Sequence, residues 1–171
     1  MNRKFLVIAV VLIAIALLGT PAMATAPEKI QVSYFAGSGV LSLPEFWVSG
    51  NVQHGRGATI TYERFWIRLE TTPDVTWLMG PSLWTADYNV NLDNGAGVLK
   101  YTVVIELSGG TFEGNIIFNG EFIVVGPLAK TVNCFGHGVL YGTGEYQGWR
   151  LDFSGEVING VLTRDIYMFM S

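Results

Sequence analysis

The sequence predicts one all-β domain, an antiparallel closed barrel of about eight strands preceded by a leader peptide. Three observations carry this. Apolar and polar residues alternate with a period of two through most of the chain after residue 26. The alternating runs are short and punctuated by Gly, Pro, Asn and Asp, which leaves no room for crossover helices. Hydrophobic residues make up 50% of the 171 and charged residues only 14%, with Val, Ile, Phe, Tyr and Trp, types suited to a pleated surface, spread along the chain. Such a chain buries enough apolar area to offset its ordering entropy, which excludes disorder. The same pattern would serve a two-sheet β-sandwich, the alternative architecture. Closure has the physical advantage of hiding the edges of long hydrophobic strands.

The leader comes first. Asn2-Arg3-Lys4 is positive, Phe5 to Leu18 is unbroken apolar sequence, and Gly19-Thr20-Pro21 ends the run. Ala22-Met23-Ala24 then places small residues at the −3 and −1 positions of a signal peptidase site, and Ala24-Thr25-Ala26 offers a second register. The apolar run falls short of the roughly 20 residues a spanning helix needs. The reading is a signal peptide over residues 1–25, cleaved near Ala24 or Ala26, with 26–171 as a single secreted or extracytoplasmic domain. Retention as an anchor is the alternative. Membrane contact is otherwise not implied.

Cleavage removes Arg3 and Lys4 and no acids. The 10 Lys+Arg fall to 8 against 14 Asp+Glu, and the net charge moves from −4 to −6. An acidic chain without a basic run excludes nucleic acid as the expected partner. The sole cysteine, Cys134, has no intramolecular disulfide partner, so stability rests on packing and strand pairing. No Asn-x-Ser/Thr sequon occurs.

Ile30, Val32 and Tyr34 predict a first strand, stopped by Gly37-Ser38-Gly39. After Pro44, the residues Phe46, Val48, Gly50 and Val52 continue the alternation. His54-Gly55-Arg56-Gly57 reads as a turn or bulge. Ala58 to Glu70 reads as a long strand with Phe65, Ile67 and Leu69 on one face and Tyr62, Arg64, Trp66 and Arg68 on the other. Trp84, Ala86, Tyr88, Val90 and Leu92 then face inward, and Asn94-Gly95 signals a hairpin turn. Leu99, Tyr101, Val103, Ile105 and Leu107 return on the same inward face.

Two stretches of the C-terminal third resemble each other. Gly110-Thr111-Phe112-Glu113-Gly114 precedes Phe118-Asn119-Gly120-Glu121-Phe122, and Gly144-Glu145-Tyr146-Gln147-Gly148 precedes Phe153-Ser154-Gly155-Glu156-Val157. The recurrence predicts two similarly built hairpins in one sheet system. Val161 to Met170 closes the chain as a last strand.

Gly136-His137-Gly138 and Gly142-Thr143-Gly144-Glu145-Tyr146-Gln147-Gly148 resemble a hairpin of the small β-barrels of the allene oxide cyclase and dirigent type. The resemblance covers roughly residues 108–160. It implies an eight-stranded barrel with a largely apolar interior able to hold a small hydrophobic molecule. It transfers no catalytic residue, because none matches a position in this chain.

The candidate chemistry is sparse. Cys134 and His137 stand at C-x-x-H spacing, but on a strand they point to opposite faces, and zinc would need a second matching pair. His54, His137 and Glu156 could form a metal site only if the fold brought them together; neither a metal nor another cofactor is expected. Tyr62, Arg64, Trp66 and Arg68, with Trp77 at a barrel mouth and His137 in a bend, form a candidate ligand-binding set. The competing reading places that strand face outside, because Phe65, Ile67 and Leu69 make the better core. No nucleophile elbow, phosphate loop or zinc-protease motif is present, and Asp87, Asp93 and Asp152 show no pairing as acid and base. The function expected is interior binding of a small apolar ligand. The alternatives are a surface-interaction module contacting protein or polysaccharide, and a cyclase-like or isomerase-like barrel enzyme. Oligomeric state is left open.

Overall fold

The structure is a computed structural model and describes residues 28–70 and 75–170. The expected signal peptide and its cleavage site lie outside the described residues. The described chain is built from strands: β1 (Glu28–Ala36), β2 (Gly39–Ser42), β3 (Glu45–Ser49), β4 (Val52–Glu70), β5 (Val75–Asn91), β6 (Ala96–Leu107), β7 (Gly110–Val125), β8 (Leu128–Gly142), β9 (Arg150–Ile158) and β10 (Val161–Met170). A single 3-10 turn, Gly144–Tyr146, interrupts the connection from β8 to β9.

Eight of these strands close an antiparallel barrel in the order β1-β10-β9-β8-β7-β6-β5-β4, with β4 returning to β1. The barrel, not the sandwich, is therefore the architecture. The remaining two, β2 and β3, lie outside this ring and pair only with β4. Turns joining β3–β4, β5–β6, β7–β8 and β9–β10 gather at one end, here the distal end. The start of β1 and the finish of β10 mark the proximal end.

Alternation places the predicted inward residues where they were expected. Phe65, Ile67, Leu69, Leu99, Val103, Ile105 and Leu107 are buried in one continuous core. The predicted hairpin forms, with Tyr88 opposite Leu99 and Ala86 opposite Tyr101. Leu92 differs: it lies one residue past β5, within the turn, and is exposed.

Two bulges on β4 explain the other departures. Between Gly55 and Ala58 the pairing with β5 slips, and Gly57 takes a positive φ of 73° while its N–H donates to Asp87 Oδ1 at 2.9 Å. This is the bulge expected at His54–Gly57. A second slip between Tyr62 and Phe65 puts both on the inner face, which plain alternation cannot do. Upstream, Gly50 also has positive φ and turns the chain, so Val52 belongs to β4 and does not continue β3.

The internal repeat is realised unevenly. Its first copy lies wholly in β7, whereas the second opens in the 3-10 turn and only then enters β9. Its aromatics nevertheless meet: Phe112 packs on Tyr146 at 5.4 Å between centroids, and Phe118 meets Phe153 edge-on at 5.8 Å.

Candidate functional site: a hollow distal interior

The barrel interior is filled at one end and hollow at the other. In the proximal half, Phe65, Ile67, Ile105, Phe112 and Met168 are essentially inaccessible, and the pocket bounded by Phe65, Ile67 and Ile105 holds about 30 Å³. In the distal half lie two adjoining cavities of about 230 and 490 Å³, both open toward solvent, that share Ile60, Tyr101 and Thr131 as walls, the larger also bounded by the exposed Leu41 and Val125. The outer cavity owes its space to small side chains. Ala58 and Ala86 are cross-strand partners on β4 and β5, both buried, and Ala129 completes the set.

Aromatic rings floor the inner cavity. Tyr34 stacks on Phe65 at 5.2 Å, Phe65 meets Trp84 at 5.9 Å, Trp84 meets Tyr101 edge-on at 5.9 Å, and Tyr101 meets Phe118 edge-on at 6.1 Å. These offset and edge-on geometries match the ring quadrupoles and hold the side chains in place. Trp84 Nε1–H donates to Ser82 Oγ at 3.1 Å, so the indole's one polar group is satisfied on the side away from the cavity.

Three phenols converge here. Burial pushes Tyr101 up to about 12, helped by the nearby phenols of Tyr62 and Tyr34. Burial also raises Tyr34, while the guanidinium of Arg164 pulls it the other way. Both hydroxyls are therefore protonated at neutral pH and available to donate a hydrogen bond to a guest.

The distal opening is partly covered by the tip of the β7–β8 hairpin. Pairing slips where Glu121 faces Asn133 but Phe122 faces Thr131, and Val132 is the extra residue. Beyond this bulge the tip is pinned to the barrel. Tyr88 Oη–H donates to Pro127 O at 2.7 Å, and the buried Gln53 amide donates to Gly126 O and to Tyr88 Oη, both at 2.8 Å. Gly55 lies beneath the Tyr88 ring, where any Cβ would collide with it.

Comparison with protein families, curated proteins and solved structures finds no match.

Of the six residues that the sequence singled out for ligand binding, Tyr62 alone lines the cavity. Its bulge turned it inward, away from its predicted companions. Arg64, Trp66 and Arg68 lie on the outer wall, with Arg68 paired to Glu70 at 3.1 Å. Trp77 is exposed as expected, yet on regular β5 against Phe35 and Arg68 and not at a mouth. His137 is exposed on the outside of β8 beside Phe135, while Cys134 is buried on the opposite face with its thiol donating to Glu121 O at 3.0 Å. His54 stacks on Trp47 and its Nδ1 contacts Asn89 Oδ1 at 2.7 Å; its strand, β4, is separated from β8 by three others in the sheet order. His54 and His137 are not brought together.

Arg164, which stands outside the cavity against the ring of its wall residue Tyr34, was not singled out by the sequence. On β10, Leu162, Ile166 and Met168 turn toward the interior, and Arg164 occupies the same phase between them. An arginine at an apolar position of an alternating strand was the available signal.

Proposed function

We propose that the protein carries a small apolar molecule in the distal half of its barrel, after export directed by residues 1–25. The hollow itself carries this reading: adjoining cavities of about 230 and 490 Å³, floored by aromatic rings, beside a proximal core with almost no free volume. Their combined scale suits a ligand site of the usual few hundred Å³. The resemblance to allene oxide cyclase and dirigent barrels points the same way. The cavity walls offer phenols, one threonine hydroxyl, the Lys130 amine and apolar surface, with no carboxylate or imidazole among them, which favours holding a molecule over moving its protons. Native mass spectrometry of purified residues 26–171 tests the reading, with a retained small molecule as the expected result. Titration with decan-1-ol, followed by the change in tryptophan fluorescence and its loss in Trp84→Phe, provides a second measurement. No retained molecule and no fluorescence change would overturn it.

A second reading has its own observation. Val40, Leu41, Leu43, Phe46, Trp47 and Val48 are all exposed along β2 and β3, outside the closed ring. That much apolar surface on a sheet edge favours contact with another macromolecule. Sedimentation velocity would show concentration-dependent association lost on Trp47→Ser with Val48→Thr.

A further inference from the structure

The barrel wall has a seam. β1 pairs with β10 only from Glu28 to Gln31, opposite Met170 to Tyr167. From Val32 to Ala36 its ladder partner is β4. Among the described residues, β10 from Val161 to Ile166 pairs with β9 alone and presents its other edge unpaired. The inner cavity reaches this gap from inside, since its wall includes Tyr34 and Ala36 on one side and Gly160 and Leu162 on the other.

Arg164 sits at the seam. It is exposed, and its guanidinium carbon lies 4.0 Å from the centroid of the Tyr34 ring, so one side chain bridges β10 and β1 where the backbone does not. Among the described residues the side-chain ion pairs are Arg68–Glu70 and Arg150–Asp152, and Arg164 takes part in neither. Lys130 lines the outer cavity, so the one charged side chain among the walls of the two cavities is also a cation. Behind them the polar atoms of Tyr34, Tyr62 and Tyr101 are hydroxyls able to donate.

The geometry points to an amphipathic guest: an apolar chain inside the distal cavity, with a compact anionic head held at the seam by Arg164. This inference rests on the cavity being a binding site and adds the class of ligand and the anchor. A planar guanidinium suits a carboxylate because two parallel N–H donors meet two oxygens. The head stays near water, so little desolvation opposes the pairing, while the tail replaces water against Trp84, Phe118 and Ile60.

The test compares decanoate with decan-1-ol, two probes of equal chain length, by tryptophan fluorescence titration at pH 7. Decanoate is expected to bind about tenfold more tightly, the scale of one solvent-facing charge-assisted contact. Arg164→Gln should abolish that preference and leave the affinity for the alcohol unchanged. Arg164→Lys should restore part of it, and Arg68→Gln on the outer wall should leave it intact. Equal binding of the two probes by the wild type would overturn the anchor while leaving the cavity reading standing. So would a preference that survives Arg164→Gln, including one lost only on Lys130→Gln. Binding of neither probe would sink the cavity reading and the anchor with it.

Discussion

The proximal and distal halves of the barrel are made from the same strands with the same alternation, yet one is solid and the other hollow. Phe112 and Met168 are completely buried in the proximal half, and Ile67 and Phe65 nearly so. At equivalent inward positions farther along, β4 carries Ala58 and β5 carries Ala86, while Ile60, Tyr62 and Tyr101 keep partial exposure to the space between them. Period-two patterning decides which residues face inward. Side-chain volume decides whether the interior they face is packed or open. Stability and binding are thereby divided along the barrel axis, because a packed core transmits every lost methylene into free energy and a cavity wall does not.

The largest effect should come from the solid half. Phe112→Ala is expected to cost about 3–5 kcal/mol in urea unfolding, because the ring is fully buried and its packed neighbours cannot close the void. Tyr62→Ala, in the cavity wall, should cost less than about 1.5 kcal/mol, since one side of that ring already lacks partners. Equal losses at the two sites would erase the distinction between the halves.

Alkaline titration probes the hollow half next. Tyr101 ionises near 10 when unfolded and only at about 12 when folded. Its protonated form is the one the fold favours, so its contribution is complete below pH 10 and is lost as pH rises through 12. By pH 11.5 the wild type should lose about 2 kcal/mol more than Tyr101→Phe. Unfolding curves at pH 9, 10.5 and 11.5 for both proteins check it. Parallel curves would mean that the Tyr101 hydroxyl is well solvated.

The distal cover offers an intermediate effect. Gln53→Leu removes the buried amide that donates to both Gly126 O and Tyr88 Oη. A loss of about 1–3 kcal/mol is expected for the carbonyl left without its donor. Hydrogen exchange should quicken over residues 124–130, which form the hairpin tip, and not in β6. Unchanged exchange at the tip would show that the bulge at Val132, and not this amide, sets its position.

What the sequence disclosed follows from the same division. Alternation is local, so the inward faces of β6 and of β4 beyond Phe65 were legible, as was the hairpin at Asn94-Gly95. A bulge is a one-residue event with long-range consequences. Gly57 announced the first on β4, but the Glu63-Arg64 slip carries no glycine, and so Tyr62 was grouped with Arg64 on the wrong face. The cavity was not legible, because Ala58 and Ala86 sit 28 positions apart and only strand register makes them partners. Arg164 could have been noticed as a charge in an apolar phase. Its meaning depends on the unpaired seam, which is a property of closure and not of any strand alone.

The smallest stability change should be the most telling. Ala86→Leu adds three carbons to the outer cavity, where space exists, and is expected to shift stability by less than about 1 kcal/mol, against about 1–3 kcal/mol for Val103→Leu in the solid half. The same Ala86→Leu change should weaken decan-1-ol binding more than tenfold, because the new side chain occupies the volume the guest requires. Thermal melts and fluorescence titrations on the two variants separate the quantities. A destabilised Ala86→Leu would mean that the distal walls relax inward in solution and that the hollow is already closed. A stable variant that still binds fully would place the guest elsewhere. Only retained stability with lost binding agrees with a cavity kept open by two alanines facing each other across β4 and β5.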